Sequence, residues 1–346
     1  MKFFKLIFLI LVVFLKTGNL LSENNFFSVN NIVIEKEDNS SNKRQANKAI
    51  KKAFNKLIER ILLKEDREKV SQMKISQIKE LVAYYNISKN IEGENDKKIF
   101  SVSFDKDKIH NLLYKKGILY SEIYDKEFFV LPVLISENEI SVFTNNYFYE
   151  NWNFNDSDVL IEFILPLENI EIIQKINQTR NNLLDLDLSI LFKEYSKKNI
   201  AIVFINKDNS DAIKVYLKTR IQDKIISKNF NFKKNDLDKF KFNKKVILEI
   251  KDEIINLVKS QNLVDVRTPS FLNVKFNLNS KNNLISLNSK LKNIDLIENI
   301  FVQEFNKDYV FFKIKYYGKL EKIINQLIDE NISLKLINDQ WFIKVL

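Results

Sequence analysis

The sequence predicts a mixed α/β protein, with a signal peptide followed by three small α/β domains. The middle domain reads as a layered α/β sheet and the last as ferredoxin-like. Three observations carry this expectation. Apolar residues spaced by three and four mark long helices near 42–63 and 243–260. Short, nearly continuous apolar runs at 128–134, 160–167 and 200–205 are separated by helical segments, as expected of strands buried on both faces of an α/β layer. The C-terminal region alternates in the order β-α-β-β-α-β with one strand added. The chain has 346 residues, which at roughly 150 residues per domain suits two or three cores. The expected boundaries are 1–22 for the signal, 23–125, 126–265 and 266–346.

Taken in order, Met1-Lys2-Phe3-Phe4-Lys5 precedes an unbroken apolar run from Leu6 to Leu15 and then Lys16. A basic start and an apolar stretch of this length build a secretory signal, and a permanent span needs about 20 apolar residues. Lys16 and Leu20 fit a cleavage site poorly, so an uncleaved N-terminal anchor is the alternative. No cysteine follows to accept a lipid. The expectation is a periplasmic protein with no transmembrane span in the mature chain.

Phe27, Val29, Ile32 and Ile34 predict a strand with one irregularity over 26–37. Asn39-Ser40-Ser41 can cap a helix whose stripe is Ala46, Ile50, Ala53, Phe54, Leu57 and Ile61. A short helix at 75–81, strands at 83–92 and 98–104 turning at 92–95, and a helix at 105–116 complete the first domain. Gly117 stands where a helix C-cap belongs. In the middle domain, helices are expected at 168–177, 186–197 and 243–260, with antiparallel edge strands at 212–220 and 224–232. The last domain predicts strands at 271–278, 296–304 and 308–316, helices at 281–291 and 318–329, and a hairpin of 332–337 and 340–345.

Composition removes whole classes of chemistry. Zero cysteine excludes disulfides, thiolate nucleophiles and thiolate metal sites, and the single histidine, His110, excludes multi-histidine metal sites and disfavours a histidine-based triad. Gly18, Gly93, Gly117 and Gly318 lie too far apart to share a phosphate-cradling loop. No cofactor and no metal are expected. The net charge of +10 could attract nucleic acid. However, Lys, Asn, Ile and Phe are enriched throughout while Gly, Pro and Ala are scarce, as an AT-rich genome produces, so no nucleic-acid partner is expected.

Two places could bind a ligand. Phe143, Tyr147, Phe148, Tyr149, Trp152 and Phe154 lie among Asn145, Asn146, Asn151 and Asn153; rings that stack and amides that hydrogen-bond can line a sugar or peptide groove. The competing reading is a long loop pinned down by its own aromatics. Glu168 and Asn169 follow the middle strand, where ligands of open α/β sheets gather and carboxylates could do acid–base work. Their competing reading is helix capping. The candidate binding set is therefore Phe143, Asn146, Phe148, Trp152, Glu168 and Asn169, with no catalytic or metal-ligating residue assigned.

The segments Ala46–Ile61, Phe100–Asp105 with Leu112-Leu113 and Gly117-Ile118, Val130–Val133, the aromatic stretch ending at Trp152, and Leu165-Pro166-Leu167 occur in an order that resembles an exported bacterial family, domain of unknown function 2066. The resemblance spans about residues 26–260, and the C-terminal extension looks like that of alphaproteobacterial members. It departs from the family where Phe143 and Phe148 stand in place of tryptophans and where Glu168-Asn169 stands in place of Gly-Asp. The resemblance implies a compartment and a domain plan, and no activity. The functional expectation is a non-enzymatic envelope protein acting as a binding or assembly module, with an envelope protein or a cell-wall or lipid component as partner. The alternatives are a carboxylate-dependent periplasmic hydrolase or lyase around Glu168 and Glu171, and a carrier of an apolar ligand.

Overall fold

The computed structural model describes residues 26–35, 41–88, 97–123, 126–136, 139–154, 160–195, 198–209, 212–278 and 284–346. The expected signal peptide at 1–22 and the turn at 92–95 lie outside these residues. The architecture is mixed α/β, as the periodicities predict. The chain divides into two compact units: 1–59, 65–120 and 264–346 form the first, and 60–64 with 121–263 form the second.

In the first unit, β1 (Ser28–Glu35), β3 (Lys97–Phe104) and β2 (Val82–Ser88) make an antiparallel sheet in the order β1-β3-β2. The irregularity expected in β1 is a register shift between Val29 and Ile32, with Asn31 at φ +57. Helix α1 (Asn42–Ile61) buries Ala46, Ala49, Ile50, Ala53, Phe54, Leu57, Ile58 and Ile61, the stripe read from the spacing plus Ala49 and Ile58. Helix α2 (Lys64–Ser71) was not expected: KEDREKVS buries only Val70, so it has no stripe to betray it. Helix α3 (Ile75–Glu80) and α4 (Lys106–Lys116) follow. Asp105 caps α4 by accepting from the Lys108 amide, and Gly117 ends it at φ +63.

The same unit holds a five-stranded sheet of β12 (Ser270–Asn277), β13 (Ile297–Phe305), β14 (Tyr309–Tyr316), β15 (Ile332–Ile337) and β16 (Gln340–Val345), in the order β13-β14-β12-β16-β15. Helix α9 (Leu284–Lys292) connects β12 to β13, with β14 inserted antiparallel between them, as in a ferredoxin-like half. The second half differs from the simple plan. The additional strand does not extend the edge; β16 sits beside β12 and parallel to it, which displaces β15 outward by one place. Helix α10 (Leu320–Asp329) and α9 bury Ile323, Leu327, Leu287 and Leu291.

The second unit is built on β5 (Glu127–Ser136), β6 (Glu139–Ser141), β7 (Glu162–Ile164), β8 (Asn199–Asn209), β9 (Ala212–Ile221) and β10 (Lys224–Lys233), ordered β10-β9-β8-β5-β6 with β7 also paired to β5. The three apolar runs become β5, β7 and β8, all mutually parallel, and the two alternating stretches become the antiparallel pair β9–β10. One face carries Phe128, Val130, Ala201, Val203, Val215 and Leu217 against helix α8 (Lys239–Gln261), which buries Val246, Ile247, Ile250, Ile254 and Val258. The other face carries Phe129, Leu131, Val133, Ile200, Ile202 and Phe204 beneath α6 (Ile170–Gln178), a 3-10 stretch at Arg180–Asp185, and α7 (Leu188–Leu191). Among the described residues no helix is long and apolar enough to cross a membrane.

Candidate functional site

The aromatic loop belongs to the second unit and is anchored through Asn146. This asparagine is fully buried and caps the short helix α5 (Tyr147–Glu150). Its Oδ1 accepts from the amides of Phe148 (3.1 Å) and Tyr149 (3.3 Å). Its Nδ2 donates to the carbonyls of Pro132 (2.9 Å), Ser141 (3.0 Å) and Val142 (2.9 Å). One side chain thus ties the loop to strand β5, to the last residue of β6 and to the residue after it. Phe148 and Trp152 are buried in the α8-side core, where Trp152 meets the Phe163 ring edge-on at 6.4 Å. Phe143 is buried in the opposite core, edge-on to Tyr149 at 5.2 Å.

The turn after β7 reaches the same place. The Tyr149 hydroxyl donates to the Pro166 carbonyl at 2.8 Å, and burial, helped by the nearby Glu168 charge, raises its pKa above the ordinary phenol value. Glu168 and Asn169 are exposed. Asn169 caps α6, its Oδ1 accepting from the Glu171 amide at 2.8 Å. The structure therefore brings loop and turn together, but the four loop candidates point into the core. The Asn146 amide is satisfied within the unit, whereas the Trp152 Nε1 is buried with no hydrogen-bond partner among the described residues.

An open cavity lies instead on the α6–α7 face of the sheet. It encloses about 530 Å³ and is lined by Ile135, Leu183, Phe204, Asn206, Lys214, Tyr216, Asn229 and Asn231, with Val215 and Phe230 at its margin. Strand register explains the set. Ile135 pairs with Asn206, Asn206 with Lys214, and Lys214 with Asn231, while Phe204 pairs with Tyr216 and Tyr216 with Asn229. Directly paired residues share a face, so two rows run across the sheet, Ile135-Asn206-Lys214-Asn231 and Phe204-Tyr216-Asn229. The Phe204 and Tyr216 rings stack at 6.3 Å with 20° between their planes. The Tyr216 hydroxyl and Ser227 Oγ are 3.1 Å apart.

Further along β9, the same face is covered. Lys218 Nζ donates to the Leu186 carbonyl at 3.0 Å, and Arg220 donates to Ser189 Oγ (3.1 Å) and the Tyr195 carbonyl (3.3 Å). These two cations hold the helical layer over one half of β9. Lys214 and Tyr216 lie in the half it leaves open. The cavity's volume falls in the range of small-molecule sites, with apolar and aromatic walls and a few polar groups that fix orientation. No carboxylate or imidazole is among the residues that line it. Among the described residues no group of three or more His, Asp or Glu side chains is placed to hold a metal.

Residues 28–120 match the model of a domain of unknown function (DUF8605). This is a different family from the domain of unknown function 2066 that the segment order resembles, and nothing supports that earlier resemblance. The match covers β1 to α4 with the first residue of β4 (Tyr120–Ser121), in the first unit, and does not include the cavity. No curated protein matches the chain significantly. A solved structure described as a crystal structure of an uncharacterized protein is similar over 41% of this chain and 95% of its own, at 9% identity and a TM-score of 0.17.

Sequence reasoning singled out the loop and missed the cavity. The signal was present in the alternation Asn229-Phe230-Asn231-Phe232 beside Lys214-Val215-Tyr216. Once these stretches are read as paired strands, period two puts both asparagines on the side of Lys214 and Tyr216.

Proposed function

We propose that this protein is exported to the cell envelope and works there as a non-enzymatic binding module, holding a small, ring-bearing polar solute over β8, β9 and β10. The N-terminal basic-apolar segment supports export. The observation that carries the binding reading is the 530 Å³ cavity, where stacked rings form the floor and three amides and one lysine form the polar rim. Rings supply contact area to a planar or pyranose face, amides offer both donors and acceptors, and Lys214 favours a neutral or anionic ligand. A carboxylate-dependent reaction would instead need an acid–base pair converging on the cavity.

The test is native mass spectrometry of the gently purified protein, followed by titration of the co-purifying solute. Tyr216→Ala and Asn229→Ala should each weaken binding at least tenfold, about 1.4 kcal/mol, with the exposed Asn229→Ala leaving the melting temperature nearly unchanged. Retention of full affinity in both variants would refute the cavity as the site. Recovery of the tagged protein in the cytoplasmic fraction of its host would refute export.

A further inference from the structure

The five-stranded C-terminal sheet is covered by helices on one face only. On that face α9 and α10 enclose Val274, Phe276, Val310 and Ile314. The opposite face has a regular composition. Register sets Lys275 against Phe311 on one side and Phe342 on the other, and sets Lys313 against Phe301. Phe271 faces Lys315, and Asn273 faces Lys313. Rings and ammonium groups therefore stand side by side across neighbouring strands.

The lysines are held by the rings. Lys275 Nζ stands 3.9 Å from the centroid of the Tyr309 ring and 5.5 Å from that of Phe311, and Lys313 Nζ stands 4.4 Å from that of Phe271. The carboxylates on this face are engaged: Glu304 accepts from the Tyr309 hydroxyl at 2.7 Å, and Glu298 pairs with Lys315 at 2.7 Å. Among the described residues no carboxylate pairs with Lys275 or Lys313. Cation–π contact fixes two long side chains that would otherwise lose rotamer freedom on binding. Phe271 is half-exposed and Phe301 nearly so.

We infer that this face binds an anionic polysaccharide. Five strands and eight residues make a plane about 25 Å on a side, which suits an extended polymer better than a small solute. Carboxylates of the polymer would meet Lys275 and Lys313, the C–H faces of its sugar rings would lie on the half-exposed rings, and Asn273 would reach hydroxyl groups. Ile337, at the hairpin tip, is the one aliphatic side chain that register places on this face. Acyl chains of a membrane would therefore find little to anchor them. The choice of a glycan over a single-stranded nucleic acid, which also stacks on aromatic sheets and pairs with lysine, rests on the export proposed above.

Purified full-length protein is titrated with polygalacturonate, its methyl ester, oligo-dT and phosphatidylglycerol vesicles. Polygalacturonate should bind, with affinity falling at least tenfold for the ester and in ~0.5 M salt, where charges are screened within a few ångströms. Lys275→Ala/Lys313→Ala should lose about tenfold, a change of 1.4 kcal/mol, whereas Lys245→Ala, an exposed lysine on α8 in the other unit, should change nothing. Lys275→Gln/Lys313→Gln keeps the aliphatic stems and should show the same loss if the alanine pair folds poorly. Equal binding of the ester, tighter binding of oligo-dT or vesicles, or full affinity in the glutamine pair would overturn the inference. These measurements use purified protein, so they are decided independently of whether cells export it.

Discussion

The only histidine is a sharp probe of the first unit. His110 lies on α4 at 6% exposure, enclosed by Phe27 (5.5 Å between ring centroids), Tyr120 (5.3 Å) and Tyr317 (5.4 Å), and its Nε2 has no hydrogen-bond partner among the described residues. Burial among rings penalises the imidazolium, and the Lys106 cation adds to that. Glu298 opposes them, and the pKa falls from 6.5 to about 4. Between these two values the unfolded chain binds a proton that the folded unit refuses. Stability is therefore complete above pH 6.5, declines as the pH falls, and levels off below about pH 4. At about 1.4 kcal/mol per pH unit the loss reaches about 3 kcal/mol, a large part of the 5–15 kcal/mol that holds a typical domain together.

Urea unfolding between pH 7.5 and 4.5 measures this loss. Of the two tryptophans, Trp341 lies in the first unit and Trp152 in the second, so a Trp152→Phe background makes fluorescence report the unit that holds His110. His110→Phe keeps a ring in the cage and removes the titration. The difference between the parent and His110→Phe curves should shrink by 2–3 kcal/mol on acidification, since carboxylates titrate alike in both. Parallel curves would refute the argument, because the imidazole would then be solvated or paired in the folded state.

Three further outcomes follow from single contacts. Gly117→Ala should cost about 1 kcal/mol; a Cβ there would be 3.9 Å from Arg267 Nη1, an ordinary contact, so the cost is the left-handed φ alone, and Gly117→Asn should cost less in the same urea assay. Asn146→Asp replaces a donor facing three carbonyls with an acceptor and should destabilise the second unit by roughly 2–4 kcal/mol, read by calorimetry, with the Trp341 transition unmoved. Arg220→Ala removes the bonds to Ser189 and Tyr195 and should cost about 1–2 kcal/mol, with faster hydrogen exchange confined to 186–195.

Periodicity carried the reading wherever burial is one-sided or complete. The stripe of α1 is legible from its helical spacing, the apolar runs of β5 and β8 from burial on both faces, and the hairpin β15–β16 from its turn at Asn338-Asp339. It failed where a segment's structure depends on distant partners. Helix α2 packs a single valine, so nothing periodic announces it. The aromatic loop was legible as a cluster, but its orientation was not. Whether Phe148 and Trp152 face solvent or core depends on Asn146, whose bonds reach a carbonyl on β5 that spacing does not reveal. The position of β16 beside β12 is likewise a pairing choice between strands of similar pattern.

The missed cavity and the misread helix have one cause. Residues 186–197 were expected as a continuous helix; the described part is α7, four residues long, then a 3-10 turn at Lys193–Tyr195. A helix of twelve residues would be about 18 Å long, enough to lie across much of the β9 face. Instead the Leu186 and Tyr195 carbonyls accept from Lys218 and Arg220, which rise from β9 itself. The strand thereby fixes the layer above it at one end and stays bare at the other. Lys218 and Arg220 as anchors, and Lys214 and Tyr216 as cavity wall, are the same alternate positions of one strand. Their roles separate only through what the neighbouring segment does, so the cavity here is a property of the incomplete layer and not of a motif.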